Sequence, residues 1–396
     1  MNQLIENSDK QIDLVPSNFV RDYISTIDWN NRLIGIKGSR GVGKTTLLLQ
    51  YIKLNNLKEK AIYISLDDLY FTDNKLIDFA DSFAKKGGEY IFIDEVHFYK
   101  NWSQEIKLIY DRFPNLKIVF TGSSILQLNI GKSDLSRRAV INELRGFSFR
   151  EFLNYNEKTD FEVYKLAEIL ENHRTIASEI RKKILPIAKF DEYLKIGYYP
   201  FFIENKQQYL YKLKNIINLI LEVDLHKAVE ITQGSIDKIR QLIYIVATSV
   251  PFKPNISKLS EKIGVTRNSL KQFFNLLEES QIIHQLHNSV KGVSLLSKPE
   301  KIYLYHPNLL FAIADANTNV GNLRETFFIN QLSAKHKVDY NEIGDFFVDD
   351  KYIFEVGGKN KTRKQIAGIK NSYTAKDDIE TGYENEIPLW LFGFLY

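Results

Sequence analysis

The chain has 396 residues, too many for one ordinary core, so about two or three domains are expected. Hydrophobic residues make up 44% and charged residues 26%, a globular balance that argues against disorder, while the formal net charge of +4 neither demands nor excludes a nucleic-acid partner. Cysteine is absent, which excludes a disulfide framework and cysteine-ligated zinc, and the seven histidines show no metal-ligand spacing.

Residues 1–29 read as a lead-in. Their acids and polar residues lack the basic start and apolar run of a signal peptide. No stretch of ~18 apolar residues occurs, so a soluble, cytoplasmic chain with no membrane partner is expected.

Residues 30–155 alternate short apolar runs with amphipathic stretches. The runs LIGI (33–36), AIYISL (61–66), YIFID (90–94) and KIVFTG (117–122) have strand length and nearly continuous apolar character. Such strands are buried on both faces of a parallel sheet, and the alternation predicts a three-layer α/β core. Residues 156–240 show apolar spacings of three and four and read as helical, with Gly197 and Pro200 turning the chain inside FDEYLKIGYYPFF.

Residues 241–295 read as a winged-helix-like module. ISKLSEKIGV ends a short helix at Gly264, and Thr266 caps a second one, RNSLKQFFNLLEESQ. IIHQLHNS and VSLL are expected to form the hairpin. Residues 296–396 are mixed: KIYLYH, a helix around 322–335, a hairpin turning at Asp349-Asp350, and WLFGFLY as an apolar terminal strand.

The chemistry gathers first at Gly38-Ser39-Arg40-Gly41-Val42-Gly43-Lys44-Thr45, followed by Thr46. A strand, GxxxxGKT and a helix stand in the order of a P-loop NTPase. Glycines let backbone N–H groups face a phosphate, and the helix points its positive end at the same anion. Lys44 can reach the β- and γ-phosphates of ATP, and Thr45 can ligate Mg2+. Asp94 closes an apolar strand and can hold the same magnesium, and Glu95 can act as general base toward water. Thr121, at the end of KIVFTG, stands where a sensor residue could sit between acid and γ-phosphate, and the alternative is a cap for the helix ILQLNI. Arg138 is the candidate for stabilising charge on the transferred phosphoryl group, with Arg137 beside it and Arg145 as a rival; a solvated pair is the competing reading.

Taken together, GSRGVGKTTLLLQ, YIFIDEVH, IVFTGSS, DLSRRAV…LRGFSFREF, YLKIGYYPFF and KIYLYHPNLLFAI resemble a bacterial and archaeal family of AAA-type ATPases whose C-terminal domain is of unknown function. That family usually carries a Gly-Arg pair before FSFREF; here Arg137 replaces the glycine and Arg138 matches the arginine. The resemblance implies an ASCE core, with a strand inserted between the phosphate-loop strand and the Walker B strand. It also implies a winged-helix segment and a C-terminal α/β domain similar to PD-(D/E)xK restriction endonucleases. Glu325, Asp345 and Glu355 follow the order of that nuclease pattern, but Gly357 stands at the lysine position. Lys359 could substitute only if the backbone bends, and Gln365 could be an accessory residue. The expectation is a retained fold with weak or no cleavage.

The function expected is a magnesium-dependent ATPase acting as a switch on DNA or a protein partner. The alternatives are an ATP-gated binding protein with negligible turnover and an ATP-controlled nuclease. Arg267, Asn268, Lys271 and Gln272 are the candidate DNA contacts of the winged helix, against packing between domains as the other reading. Self-association stands beside these as a further partner class.

Overall fold

The computed structural model describes residues 1–124, 134–229, 231–249, 252–288, 298–314 and 319–396. They fold as two compact units, the first formed by Met1–Gly146 with Asn218–Ile231, the second by Phe147–Ile217 with Thr232–Tyr396. Residues 218–231, expected within the helical stretch, therefore go with the first unit, as does helix α1 (Asn2–Leu14) of the lead-in.

The first unit is built on β1 (Leu33–Lys37), β2 (Ala61–Ser65), β3 (Tyr90–Asp94), β4 (Lys117–Gly122) and β5 (Val140–Glu143). Helices α2 (Lys44–Leu54), α3 (Leu76–Lys85) and α4 (Trp102–Arg112) connect them. The sheet is parallel in the order β2-β3-β4-β1-β5, so β4 lies between the loop-bearing β1 and the acid-bearing β3. Ile34, Ile36, Ile62, Ile64, Ile91, Ile93, Ile118 and Phe120 are buried, which accounts for the nearly continuous apolar runs. Because all five strands are parallel, their carboxyl ends lie at one edge, where α/β sheets gather ligands.

The second unit contains α5 (Phe149–Asn156), α6 (Leu166–Arg181), α7 (Pro186–Ile196), α8 (Gln233–Thr248), α9 (Ile256–Ile263), α10 (Arg267–Glu279), β6 (Ile283–Leu286), β7 (Lys301–Leu304), α11 (Pro307–Ala314) and α12 (Val320–Leu332). A mixed sheet closes it: β8 (Val338–Tyr340), β9 (Phe346–Val348), β10 (Tyr352–Gly357), β11 (Ser372–Lys376) and β12 (Glu386–Pro388). Its order is β12-β11-β10-β9-β8, antiparallel from β8 to β10 and parallel from β10 to β12. Asp349 and Asp350 both adopt left-handed backbone (φ +53° each) at the β9–β10 turn, a conformation that acids and amides of this size tolerate.

Several stretches outside the first unit that carry the family resemblance act as internal pins. Ser148 and Glu151 of FSFREF form a capping box for α5. Asn308 of YHPN accepts from the Tyr198 amide and the Tyr209 hydroxyl and donates to the carbonyls of Tyr193 and Leu194. The Phe147 amide donates to the carbonyl of Tyr198, and the Tyr193 hydroxyl to the carbonyl of Phe147. These buried polar groups satisfy one another, as buried polar groups must.

Two expectations change. WLFGFLY is not a strand: Leu389–Phe394 is a 3-10 helix whose residues are all buried. A short apolar run without alternation does not separate strand from buried helix. The helix–turn–helix is present, with Gly264 in left-handed conformation ending α9 and Thr266 capping α10. However, β6 pairs antiparallel with β7, the KIYL run that was expected to open the last domain. VSLL lies outside the described residues.

Candidate functional site

The phosphate loop runs from the end of β1 into α2. Gly41 (φ +86°) and Gly43 (φ +95°) hold left-handed backbone that a side chain would strain. A Cβ on Gly38 would lie 2.3 Å from the Leu144 carbonyl oxygen, so the loop passes tight against the strand below it. Val42 is fully buried and anchors the loop from inside. The buried Arg21 braces it as well, donating to the carbonyls of Val42 (3.3 Å), Arg145 (2.6 Å) and Gly146 (2.9 Å). Lys44 is 5% exposed, and its ammonium donates to the carbonyls of Gly38 (2.9 Å) and Ser39 (3.2 Å). Ser39 is buried, whereas Thr45 and Thr46 face outward on the first turn of α2.

Asp94 ends β3 and is almost fully buried. One carboxylate oxygen, Oδ2, accepts from Thr45 Oγ1 (2.5 Å) and from the Tyr63 hydroxyl (2.8 Å). The other, Oδ1, accepts from Thr121 Oγ1. The Glu95 amide donates to Thr121 Oγ1 at 3.2 Å. Side chains of three elements, α2, β2 and β4, thus converge on the carboxylate that ends β3. Tyr63 is held protonated: burial and the neighbouring Asp94 both push its hydroxyl well above the ordinary tyrosine range. Glu95 itself adopts left-handed backbone (φ +52°), an uncommon conformation for this residue type and one that clusters at functional sites.

Thr45, Asp94, Glu95 and Thr121 are therefore in direct contact, and Lys44 precedes Thr45 on the first turn of α2. Arg138 pairs with Asp111 of α4 (Nε to Oδ1, 3.1 Å), Arg145 pairs with Glu143, and Arg137 is exposed. ILQLNI, the helix that Thr121 might have capped, lies outside the described residues. Tyr63 and Arg21 were missed. Tyr63 had one signal: β2 is the neighbour of β3, so a polar tip in AIYIS can meet Asp94.

In the second unit, Lys301 of β7 occupies the space between the nuclease-like acids. Its ammonium lies 3.2 Å from Glu325 and 3.0 Å from Asp345, and the Tyr303 hydroxyl donates to Glu325. Asp345 also accepts from the Val356 amide. Glu355, 1% exposed, pairs with Lys361 at 2.8 Å, while Lys359 pairs with Asp378. Lys361 thus takes the place considered for Lys359. Gly357 permits it, since a Cβ there would lie 2.6 Å from the Lys361 side chain. Gln365 is exposed. Among the described residues no group of three or more His, Asp or Glu side chains is placed to hold a metal ion.

Residues 30–153 match the family model described as an AAA domain. The sheet order and loop geometry above fit a P-loop NTPase α/β core over the same stretch. Residues 187–320 match a second model, described only as a domain of unknown function. The chain is 25% identical over 391 aligned positions to uncharacterized protein MJ1637 of Methanocaldococcus jannaschii, covering 90% of this chain and 81% of that one. AMPPCP-bound DnaA from Aquifex aeolicus superposes with a TM-score of 0.27 at 17% identity, over 65% of this chain and 85% of that one. The S. cerevisiae Hsp104-ADP complex does so with a TM-score of 0.24 at 16% identity, over 70% and 38%. Superpositions this loose carry no weight for the site, whose case rests on its own geometry. No helix among the described residues is long and apolar enough to cross a membrane.

Proposed function

We propose that the first unit hydrolyses ATP with magnesium and that the chain works as an ATP-driven switch on DNA or a protein partner. The observation that carries this reading is the convergence of Thr45, Tyr63 and Thr121 hydroxyls on Asp94, with Glu95 adjoining. The residues present fit magnesium and ATP: the left-handed glycines open the loop's amides, and a hydroxyl already meets a buried carboxylate. Lys44 and the loop amides would hold the phosphates, and Thr45 with Asp94 would hold the magnesium. Magnesium supplies neutralisation of the phosphate charge. Glu95 takes the proton of the attacking water, and Thr121 fixes both Asp94 and the Glu95 backbone. Arg138 is the proposed charge stabiliser, supplied to a second copy of the chain.

Arg267, Asn268, Lys271 and Gln272 are exposed on the first turns of α10, while Phe273, Phe274 and Leu277 are buried. That division supports DNA contact through a winged helix. Lys301, lying between Glu325 and Asp345, supports a nuclease-like fold without cleavage.

Phosphate release measured with and without duplex DNA, at several protein concentrations, tests this reading. Release is expected to require magnesium, to rise with DNA, and to rise per subunit with concentration if Arg138 acts in trans. Absence of DNA stimulation assigns the switch to a protein partner. Absence of release under every condition contradicts hydrolysis.

A further inference from the structure

The domain match ends at residue 153, yet a side chain far beyond it reaches the phosphate loop. Segment 218–231 folds with the first unit, and its turn Ile220–Asp224 is π-helical, a rare geometry frequent at functional sites. At its end, Asp224 Oδ1 lies 2.7 Å from Nη2 of Arg40, a residue of the loop itself. The same oxygen lies 3.5 Å from His97 Nε2, and His97 Nδ1 lies 3.3 Å from Glu95 Oε2. Asp224 and His97 are both buried side chains, and Asp224 Oδ2 has no partner among the described residues. The Arg40 guanidinium also sits over the Phe98 ring, 5.8 Å from its centre. A buried carboxylate with no solvent is costly unless paired, and here the Arg40 guanidinium pairs with it while the His97 ring lies beside it.

We propose that Asp224 is a positioning residue for hydrolysis: through His97 it sets the Glu95 carboxylate, and through Arg40 it sets the phosphate loop. This rests on the reading of Glu95 as the base. Burial opposes ionisation of Asp224, but the bonds from His97 and Arg40 outweigh it and hold its carboxyl below the usual range. The imidazole's two contacts are longer than ordinary hydrogen bonds, so it steers Glu95 through the placement of its ring between the two carboxylates. Segment 218–231 continues at Ile217 and at Thr232 into the chain of the second unit.

Asp224→Asn keeps the side chain's size and removes its charge. Its kcat is expected to fall about tenfold, with a smaller rise, about twofold, in KM for ATP from the released Arg40, because a misplaced base costs turnover more than binding. Asp224→Glu should recover part of the loss. His97→Gln should repeat the effect, and combining Asp224→Asn with Glu95→Gln should be no slower than Glu95→Gln alone. In the nucleotide-free protein, amide exchange across Val96–Phe98 should quicken in both Asp224→Asn and His97→Gln. If Glu95→Gln loses turnover while Asp224→Asn and His97→Gln keep wild-type kcat and exchange, the positioning role is wrong. If Glu95→Gln itself keeps full turnover, it is the reading of Glu95 as base that has failed.

Discussion

Lys44→Ala is expected to lower ATP hydrolysis by about a hundredfold or more and to weaken ATP binding, with the fold left intact. The ammonium is nearly buried and rests 2.9 Å and 3.2 Å from the carbonyls of Gly38 and Ser39. It is therefore a positive charge fixed at the loop, in a place where water screens it little. The loop's shape does not depend on it. Gly41 and Gly43 take their conformations by themselves, Val42 is buried, and Arg21 braces the carbonyls from beneath. A binding isotherm, a thermal melt and a phosphate-release assay on one preparation check this. Wild-type turnover in the variant would show that the loop is not the site.

Lys301→Met should destabilise the second unit by about 2–3 kcal/mol, because it leaves two half-buried acids without their buried cation. Lys301 is 5% exposed and serves both Glu325 and Asp345. Burial opposes its charge, but the two carboxylates override this and raise its pKa. Glu325 is also raised, by burial and then by Asp345, in spite of Lys301. The two directions agree once the sharing is recognised: one cation cannot fully compensate two acids. The sign of the pH dependence follows. A lysine raised above its unfolded value contributes stability fully below that value and loses it as the pH climbs through the folded value. Wild-type stability should therefore drop on the alkaline side of the ordinary lysine range, and Lys301→Met should lack that drop. Chemical denaturation across pH measures both. Unchanged stability in Lys301→Met would mean that the acids are not held as described.

Four strands of the first unit, β1 to β4, were legible because each carries a nearly unbroken apolar run that is buried, whereas β5, exposed to half-buried with the sequence VINE, carries no such run and was missed. Lys44, Thr45, Asp94 and Glu95 were legible for a related reason: they follow strands directly, so short-range order places them. Thr121 was placed by the same logic. What escaped depends on distant pairings. Arg21 reaches carbonyls of residues 145 and 146, Tyr63 reaches Asp94 across a strand pair, and Asp224 comes to Arg40 from another part of the chain. No local pattern marks any of them. In the second unit, acid order suggested a nuclease-like set, but order does not show which cation lies among the acids. Lys301, before α12, and Lys361, admitted by Gly357, supply it. WLFGFLY failed for want of periodicity: its side chains are buried all round, and both helix and strand satisfy that.

The central claim is that Asp94 and Glu95 make the phosphate loop a hydrolytic site. Glu95→Gln keeps the shape of the side chain and removes the base. Incubated with magnesium and labelled ATP, then separated from free nucleotide, wild-type protein should retain ADP, while Glu95→Gln should retain ATP and release phosphate about a hundredfold more slowly. Equal ADP in both, formed at equal rates, would contradict the account.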